Sequence, residues 1–219
     1  MGYVIAISQS KGGSSKTTTA INLCGALLEK GFKAVVADMD SDKPDAVNWA
    51  KQGDHINFVV ALFEEKPMDK MELLRKRYDF IILDTPPSYM PAAFKAIMLS
   101  DLVILPCSPS FLDKNNLTEA ISIPQMAQKE FKTLACNVKK DHALSQLLID
   151  ELSLSGQSFC TTISVSEDAL TSPFYGQWVG NYRPRCDNHH EFLALADEVI
   201  RSANLLDYPH FPNQETVVS

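Results

Sequence analysis

The sequence predicts an α/β domain, an open, doubly wound and mostly parallel sheet flanked by helices, and three features carry that expectation. Short continuous runs rich in β-branched residues recur along the chain. Segments of helical composition separate them. A glycine-containing, lysine-flanked turn joins the first run to the first helical segment. Continuous apolar runs of four to six residues suit strands buried on both faces, and strands alternating with helices favour a parallel arrangement.

The strand candidates are residues 3–8 (YVIAIS), 34–37 (AVVA), 56–61 (INFVVA), 80–83 (FIIL), 102–105 (LVIL) and 133–136 (TLAC), with a weaker one at 159–163. Helices are expected at 17–30, 44–51, 70–76, 92–99, 114–129, 142–154 and 191–203. Gly31 stands just past the first helix, where a left-handed cap is expected. Pro44 and Pro91 stand where helices can begin, because proline's fixed φ suits the first turn. Residues 171–190, with Pro173, Gly176, Gly180 and Pro184, read as a long loop. Residues 207–219 have no amphipathic period and read as a loose tail, leaving 1–206 as a single domain.

Composition sets outer limits. The 219 residues are 45% hydrophobic and 21% charged, ordinary for a globular protein. No apolar run approaches the roughly 20 residues that span a bilayer. The first residues enter a strand without a basic stretch, so no secretory leader is expected and the chain reads as cytoplasmic. Five cysteines (Cys24, Cys107, Cys136, Cys160 and Cys186) are widely spaced, which suits reduced thiols and neither zinc nor iron–sulfur ligation. The net charge of −7 arises entirely after residue 100, where 8 basic residues face 15 acidic ones. Binding of a polyanion would therefore need a local basic patch.

The strongest motif is Ser8-Gln9-Ser10-Lys11-Gly12-Gly13-Ser14-Ser15-Lys16-Thr17-Thr18, between the first strand and the first helix. Backbone N–H groups of such a loop, with the helix N-terminus, converge on an anion. Lys16 would reach the β- and γ-phosphates of a nucleoside triphosphate, and the Thr17 hydroxyl would ligate Mg²⁺. The generic pattern G-x-x-x-x-G-K-[ST] is not met, because Ser10 and Ser15 stand at its glycine positions. Two aspartates, Asp38 and Asp40, close the second strand and share one face by the period of two. The run Phe80-Ile81-Ile82-Leu83 also ends in an aspartate, Asp84.

These segments resemble the ParA/MinD class of ATPases, P-loop NTPases with a deviant Walker A motif, closest to the small partition ParA proteins. The match is K-G-G-x-x-K-[ST], in which Lys11 takes the place of the class's signature lysine. Asp38-Met39-Asp40 matches its Asp-x-Asp, although Ser41-Asp42 replaces the usual Pro-Gln, and Asp84-Thr85-Pro86-Pro87 matches its Walker B strand and following loop. Pro106-Cys107-Ser108-Pro109-Ser110, with Asp113, matches the segment after the next strand.

The resemblance implies ATP and Mg²⁺ as ligands, ATP hydrolysis as the activity, and Lys11, Gly12, Gly13, Ser14, Ser15, Lys16, Thr17 and Thr18 as the nucleotide cradle. Asp40 would orient the attacking water, Thr17 would bind the metal directly, and Asp38 and Asp84 would support it through water. Lys11 would reach the nucleotide of a second chain in an ATP-dependent homodimer. Asn137, after the run 133–136, is placed either as an adenine contact or as a cap for helix 142–154.

Partition of a plasmid or chromosome is the leading implied role, through non-specific DNA binding and a ParB-type partner that stimulates hydrolysis. Positioning of another cargo through an adaptor is the alternative. A metabolic ligase of the same fold is disfavoured by Lys11 and the chain's size. A membrane switch is disfavoured by the tail, which lacks a basic amphipathic helix. Candidate DNA contacts are Lys129, Lys132, Lys139, Lys140, Arg183, Arg185 and Arg201, which read equally well as scattered surface charge.

Overall fold

Residues 1–64, 67–87, 91–109 and 120–204 are described by the computed structural model. Among these residues six strands, β1 (Tyr3–Ile7), β2 (Ala34–Asp38), β3 (Val59–Ala61), β4 (Phe80–Asp84), β5 (Leu102–Cys107) and β6 (Glu130–Ala135), form one sheet in the order β3-β2-β4-β1-β5-β6. Every pairing is parallel. β2, β4 and β5 are buried at every residue, as strands covered on both faces must be.

The helices are α1 (Lys16–Glu29), α2 (Asp45–Ala50), α3 (Met68–Arg77), α4 (Pro91–Leu99), α5 (helical at 120–126), α6 (Ala143–Leu154), α7 (Glu167–Thr171), α8 (Val179–Tyr182) and α9 (Asp187–Ser202). Alternate strand residues serve opposite cores, by the period of two. On one face Ile5, Ile7, Val36 and Ile82 pack with Ile21 and Leu27 of α1 and with Phe192, Leu195 and Val199 of α9. On the other, Val4, Ala6, Val35 and Leu83 pack with Met71 and Leu74 of α3 and Ala96 of α4. Val103, Leu105 and Phe131 extend that second core to Ala120.

α1 closes as its sequence predicts. Gly31 lies at φ 88°, its N–H bonds Leu28 O at 2.9 Å, and the Phe32 N–H bonds Leu27 O at 3.1 Å. This pair of backward bonds satisfies carbonyls that the helix end would otherwise orphan. Near the middle of α1, Gly25 has a packing role: a Cβ there would stand 2.3 Å from the Trp178 ring.

Three expected segments differ. The expected strand at 56–61 pairs only over Val59–Ala61. Residues 159–163 form no continuous strand; two isolated parallel bridges, Thr133 with Ser158 and Val138 with Ser164, extend the sheet past β6. Two α9 glutamates hold this segment by its backbone: Glu198 accepts from the Cys160 and Thr161 N–H groups, and Glu191 from that of Ser164. The expected long loop at 171–190 instead holds the end of α7, a 3-10 turn (Ser172–Tyr175), α8 and the first residues of α9. The reason is tertiary: Trp178 is buried between α1 and Gly180, and that anchor fixes helices too short to stand alone.

The expected helix at 114–129 is described only over 120–126, and Ser110, Asp113 and the tail 207–219 lie outside the described residues. All five cysteines are free thiols, with Cys24, Cys107 and Cys136 buried. Burial pushes the Cys136 thiol up to about 12. No helix among the described residues is long and apolar enough to cross a membrane.

Candidate functional site at the mouth of the first helix

Parallel register brings three strand ends level. Ile7 of β1 pairs with Asp84 of β4, and Asp84 pairs with Asp38 of β2. The loop leaving β1 therefore rises beside both aspartates before entering α1. Its start is anchored by Gln9, a buried residue that the motif did not flag. Its Nε2 donates to Pro106 O at 3.3 Å and its Oε1 accepts from the Ser10 N–H at 2.9 Å. Thr85, just past β4, donates its hydroxyl to Ile7 O at 2.8 Å and clamps the same corner.

A cavity of about 370 Å³ opens over this corner, lined by Gly12 through Thr19, Asp40, Asp84 and Asn137. Gly13 lies at φ 73°, and a Cβ built on Gly12 or Gly13 would meet nothing within 4 Å. The backbone there faces open space that side chains would fill. Ser15 occupies the left-handed region at φ 65° and ψ 20°, a conformation that costs a serine roughly 1–2 kcal/mol relative to glycine. Lys16 is buried, and its ammonium lies 3.2 Å from Lys11 O. Burial pulls Lys16 below its ordinary range, while Asp84, Asp40 and Asp45 act in the opposite direction.

Asp84 is 3% exposed, and its Oδ1 has no hydrogen-bond partner among the described residues. Burial raises its carboxyl to about 7, although the hydrogen bond with the Thr17 side chain works against that shift. A buried carboxylate with an unsatisfied oxygen beside a threonine hydroxyl has the hard oxygen donors that Mg²⁺ favours. With the open glycine cradle above it, the corner fits a metal-bound phosphate chain.

Asp38 and Asp40 take different positions. Asp38 is fully buried below the cavity. Its Oδ1 accepts from the Asp40 N–H at 3.0 Å and its Oδ2 from the Val47 N–H at 3.0 Å. It thus fixes the turn after β2 and satisfies a donor at the start of α2. Burial raises its pKa, and those backbone bonds oppose the rise. Asp40 is half-buried and lines the cavity; its Oδ1 accepts from the Asp42 and Lys43 N–H groups at 3.2 and 2.9 Å. That local turn stands where the Pro-Gln of the resemblance is absent. Lys11 is half-buried at the loop's shoulder.

Asn137 corrects one expectation. His142 precedes α6 as its N-cap residue, and Asn137 does not cap that helix. Its Nδ2 donates to Ser15 Oγ at 3.0 Å and to Ser108 Oγ at 3.1 Å. The far wall of the cavity, formed by Ile163 to Ser166, Ala169, Leu170, Asn188 and Phe192, carried no motif.

The seven candidate DNA contacts do not form one patch. Lys129 donates to Ser100 O at 3.0 Å. Lys132 donates to Ser202 Oγ at 3.1 Å and lies 5.2 Å from the Phe159 ring centroid. Both serve the fold at the start of β6, and Arg201 lies on α9 next to Ser202. Lys139, Lys140, Arg183 and Arg185 lie at the other end of β6, around two shallow hollows that share Ser164 and Asp187. Arg183 is engaged by Asp168 at 3.5 Å.

Comparison with known proteins agrees with this geometry. A family model described as an AAA domain matches residues 2–71 and 53–137. The Bacillus subtilis sporulation initiation inhibitor protein Soj is 24% identical over 249 residues, covering 91% of this chain and 98% of Soj. The maintenance of carboxysome distribution protein A of Halothiobacillus neapolitanus is 29% identical over 130 residues, covering 58% of this chain and 60% of that protein. The fold resembles that of the septum site-determining protein MinD from Pyrococcus horikoshii, solved in complex with Mg-ADP. The TM-score is 0.78, at 18% identity over 94% of this chain and 98% of that one. With a phosphate loop at the end of the central strand, level with two strand-end aspartates, the chain belongs to the ParA/MinD-type P-loop ATPases of the AAA-domain family.

Proposed function

We propose that this chain is an ATP-dependent dimerising switch that hydrolyses ATP and acts in partition of a plasmid or chromosome. The observation that carries the reading is the orphaned, buried Asp84 oxygen beneath an open glycine cradle and a buried Lys16. Hydrolysis of a phosphoanhydride needs mainly positioning and neutralisation of charge. Gly12 to Thr18 would hold the phosphates through main-chain N–H groups and the Lys16 ammonium. Asp40 would orient the water that attacks the γ-phosphorus, with ADP as the leaving group. Thr17 would hold Mg²⁺ directly, and Asp84 and Asp38 would hold it through water. The ion, when bound, supplies positive charge against the β- and γ-phosphate oxygens.

Lys11 would reach the nucleotide of a second copy, making the homodimer depend on ATP. A ParB-type protein or a cargo adaptor would stimulate hydrolysis and release the halves. Non-specific DNA would be held by Lys139, Lys140 and Arg185 beside the cavity, with Arg183 joining if it leaves Asp168. Positioning of a protein assembly is the second reading, favoured by the likeness to the carboxysome distribution protein and by the internal contacts of Lys129 and Lys132.

Sedimentation with and without Mg-ATP tests the switch: a shift from monomer to dimer mass is expected, and an unchanged mass with ATP bound contradicts it. Gel shifts with duplex DNA separate the two readings. Partition predicts ATP-dependent binding that falls steeply with salt, because phosphate contacts release counterions. No binding at low salt favours a cargo other than DNA.

A further inference from the structure

The loop carries a serine where relatives of its motif place glycine, and the structure surrounds that serine with compensation. Ser15 sits at φ 65°, where a Cβ is disfavoured. Its hydroxyl accepts one hydrogen of the Asn137 carboxamide at 3.0 Å, and Ser108 Oγ accepts from the same nitrogen at 3.1 Å. Asn137 follows β6 and Ser108 follows β5, so one side chain braces the phosphate loop against the ends of two packed strands. An amide nitrogen has two hydrogens, and both are committed. A nucleobase could take an N–H from Asn137 only by breaking one of these bonds, while its Oδ1 stays open as an acceptor. Asn137 is itself left-handed at φ 56°.

The geometry points to Asn137 as a positioning residue: it holds Ser15, and through it the phosphate loop, in the conformation that receives the phosphates. The inference rests on the nucleotide-binding reading above. It makes the two residues interdependent. A glycine at 15 needs no brace, because it adopts a left-handed φ without strain and offers no hydroxyl to hold.

The test is a double-mutant cycle read by calorimetric titration of Mg-ADP and Mg-GDP. Asn137→Gly is the chosen variant, because glycine keeps the left-handed backbone and removes only the carboxamide. In the Ser15 background it should weaken Mg-ADP binding about threefold to tenfold, the range of one hydrogen bond. In the Ser15→Gly background the same change should cost less than about twofold, since the partner hydroxyl is gone. Ser15→Ala, which keeps the strain and loses the acceptor, should match the Asn137→Gly loss. The preference for ADP over GDP should not change in any variant. An equal loss in both backgrounds overturns the inference, and a collapsed ADP preference would assign Asn137 to the base instead. No loss in either background also overturns it. Failure of the unaltered chain to bind Mg-ADP is a separate result, overturning the nucleotide reading and this inference with it.

Discussion

Asp84→Asn should make the metal-free protein more stable, and the gain should depend on pH. The Asp84 carboxyl is buried and sits at about 7 against an ordinary 3.8, chiefly through burial. Its folded pKa lies above its unfolded one, so the unfolded chain loses this proton first. Stability is therefore complete below about pH 4 and is lost progressively as the pH rises to about 7. At about 1.36 kcal/mol for each pH unit, the full cost at pH 8 comes to about 4 kcal/mol. At pH 4.5 the same linkage costs about 1 kcal/mol. Asparagine keeps the shape, keeps an acceptor for Thr17 and carries no charge to desolvate. Urea denaturation in EDTA without nucleotide should thus show a gain of up to about 4 kcal/mol at pH 8, shrinking to about 1 kcal/mol at pH 4.5. Adding Mg-ADP should reverse the order, stabilising the unaltered chain and leaving the variant little changed. A gain below about 1 kcal/mol at pH 8, or one equal at both pH values, would refute the assignment of a strained, metal-ready carboxyl.

Three further outcomes follow from named contacts. Lys11→Ala should leave Mg-ADP affinity within about threefold and abolish the ATP-dependent mass shift in sedimentation, because the proposed partner of its ammonium is the other copy's nucleotide. Asp40→Ala should keep ATP binding and dimerisation while phosphate release falls by about a hundredfold or more, the scale of a lost water-orienting group; normal turnover would remove Asp40 from the mechanism. Gly25→Ala should lower stability by about 1–3 kcal/mol in thermal or urea denaturation, because its new Cβ meets the Trp178 ring at 2.3 Å.

What the sequence displayed was whatever is contiguous in it. The phosphate loop and the strand-end aspartates are local patterns, and a parallel register sufficed to align Asp38 and Asp84 beside β1. Asn137 could not be assigned from sequence because its partners lie 122 and 29 residues away. The same holds for Gln9, which reaches 97 residues to Pro106, and for the cavity wall at Ser164, Asn188 and Phe192. The region 171–190 departs from its loop-like sequence for a different reason. α7, the 3-10 turn and α8 are one turn or slightly more, below the length at which helical composition dominates, and Trp178 packing holds them. One local sign was present nearby: Ser166 accepts from the Asp168 and Ala169 N–H groups and caps α7, as a serine before two acidic residues can. For the DNA candidates, composition gave charge but not engagement, and Lys129 and Lys132 turned out to be committed to their own fold.

Calorimetric titration of Mg-ADP into the unaltered chain and into Lys16→Ala reaches the central claim most directly. A single site per chain is expected in the former, with affinity lost by at least tenfold in the latter, since a buried ammonium placed for phosphate contributes on the order of 1.4 kcal/mol or more. Absence of binding to the unaltered chain, or equal binding by both, would contradict the account.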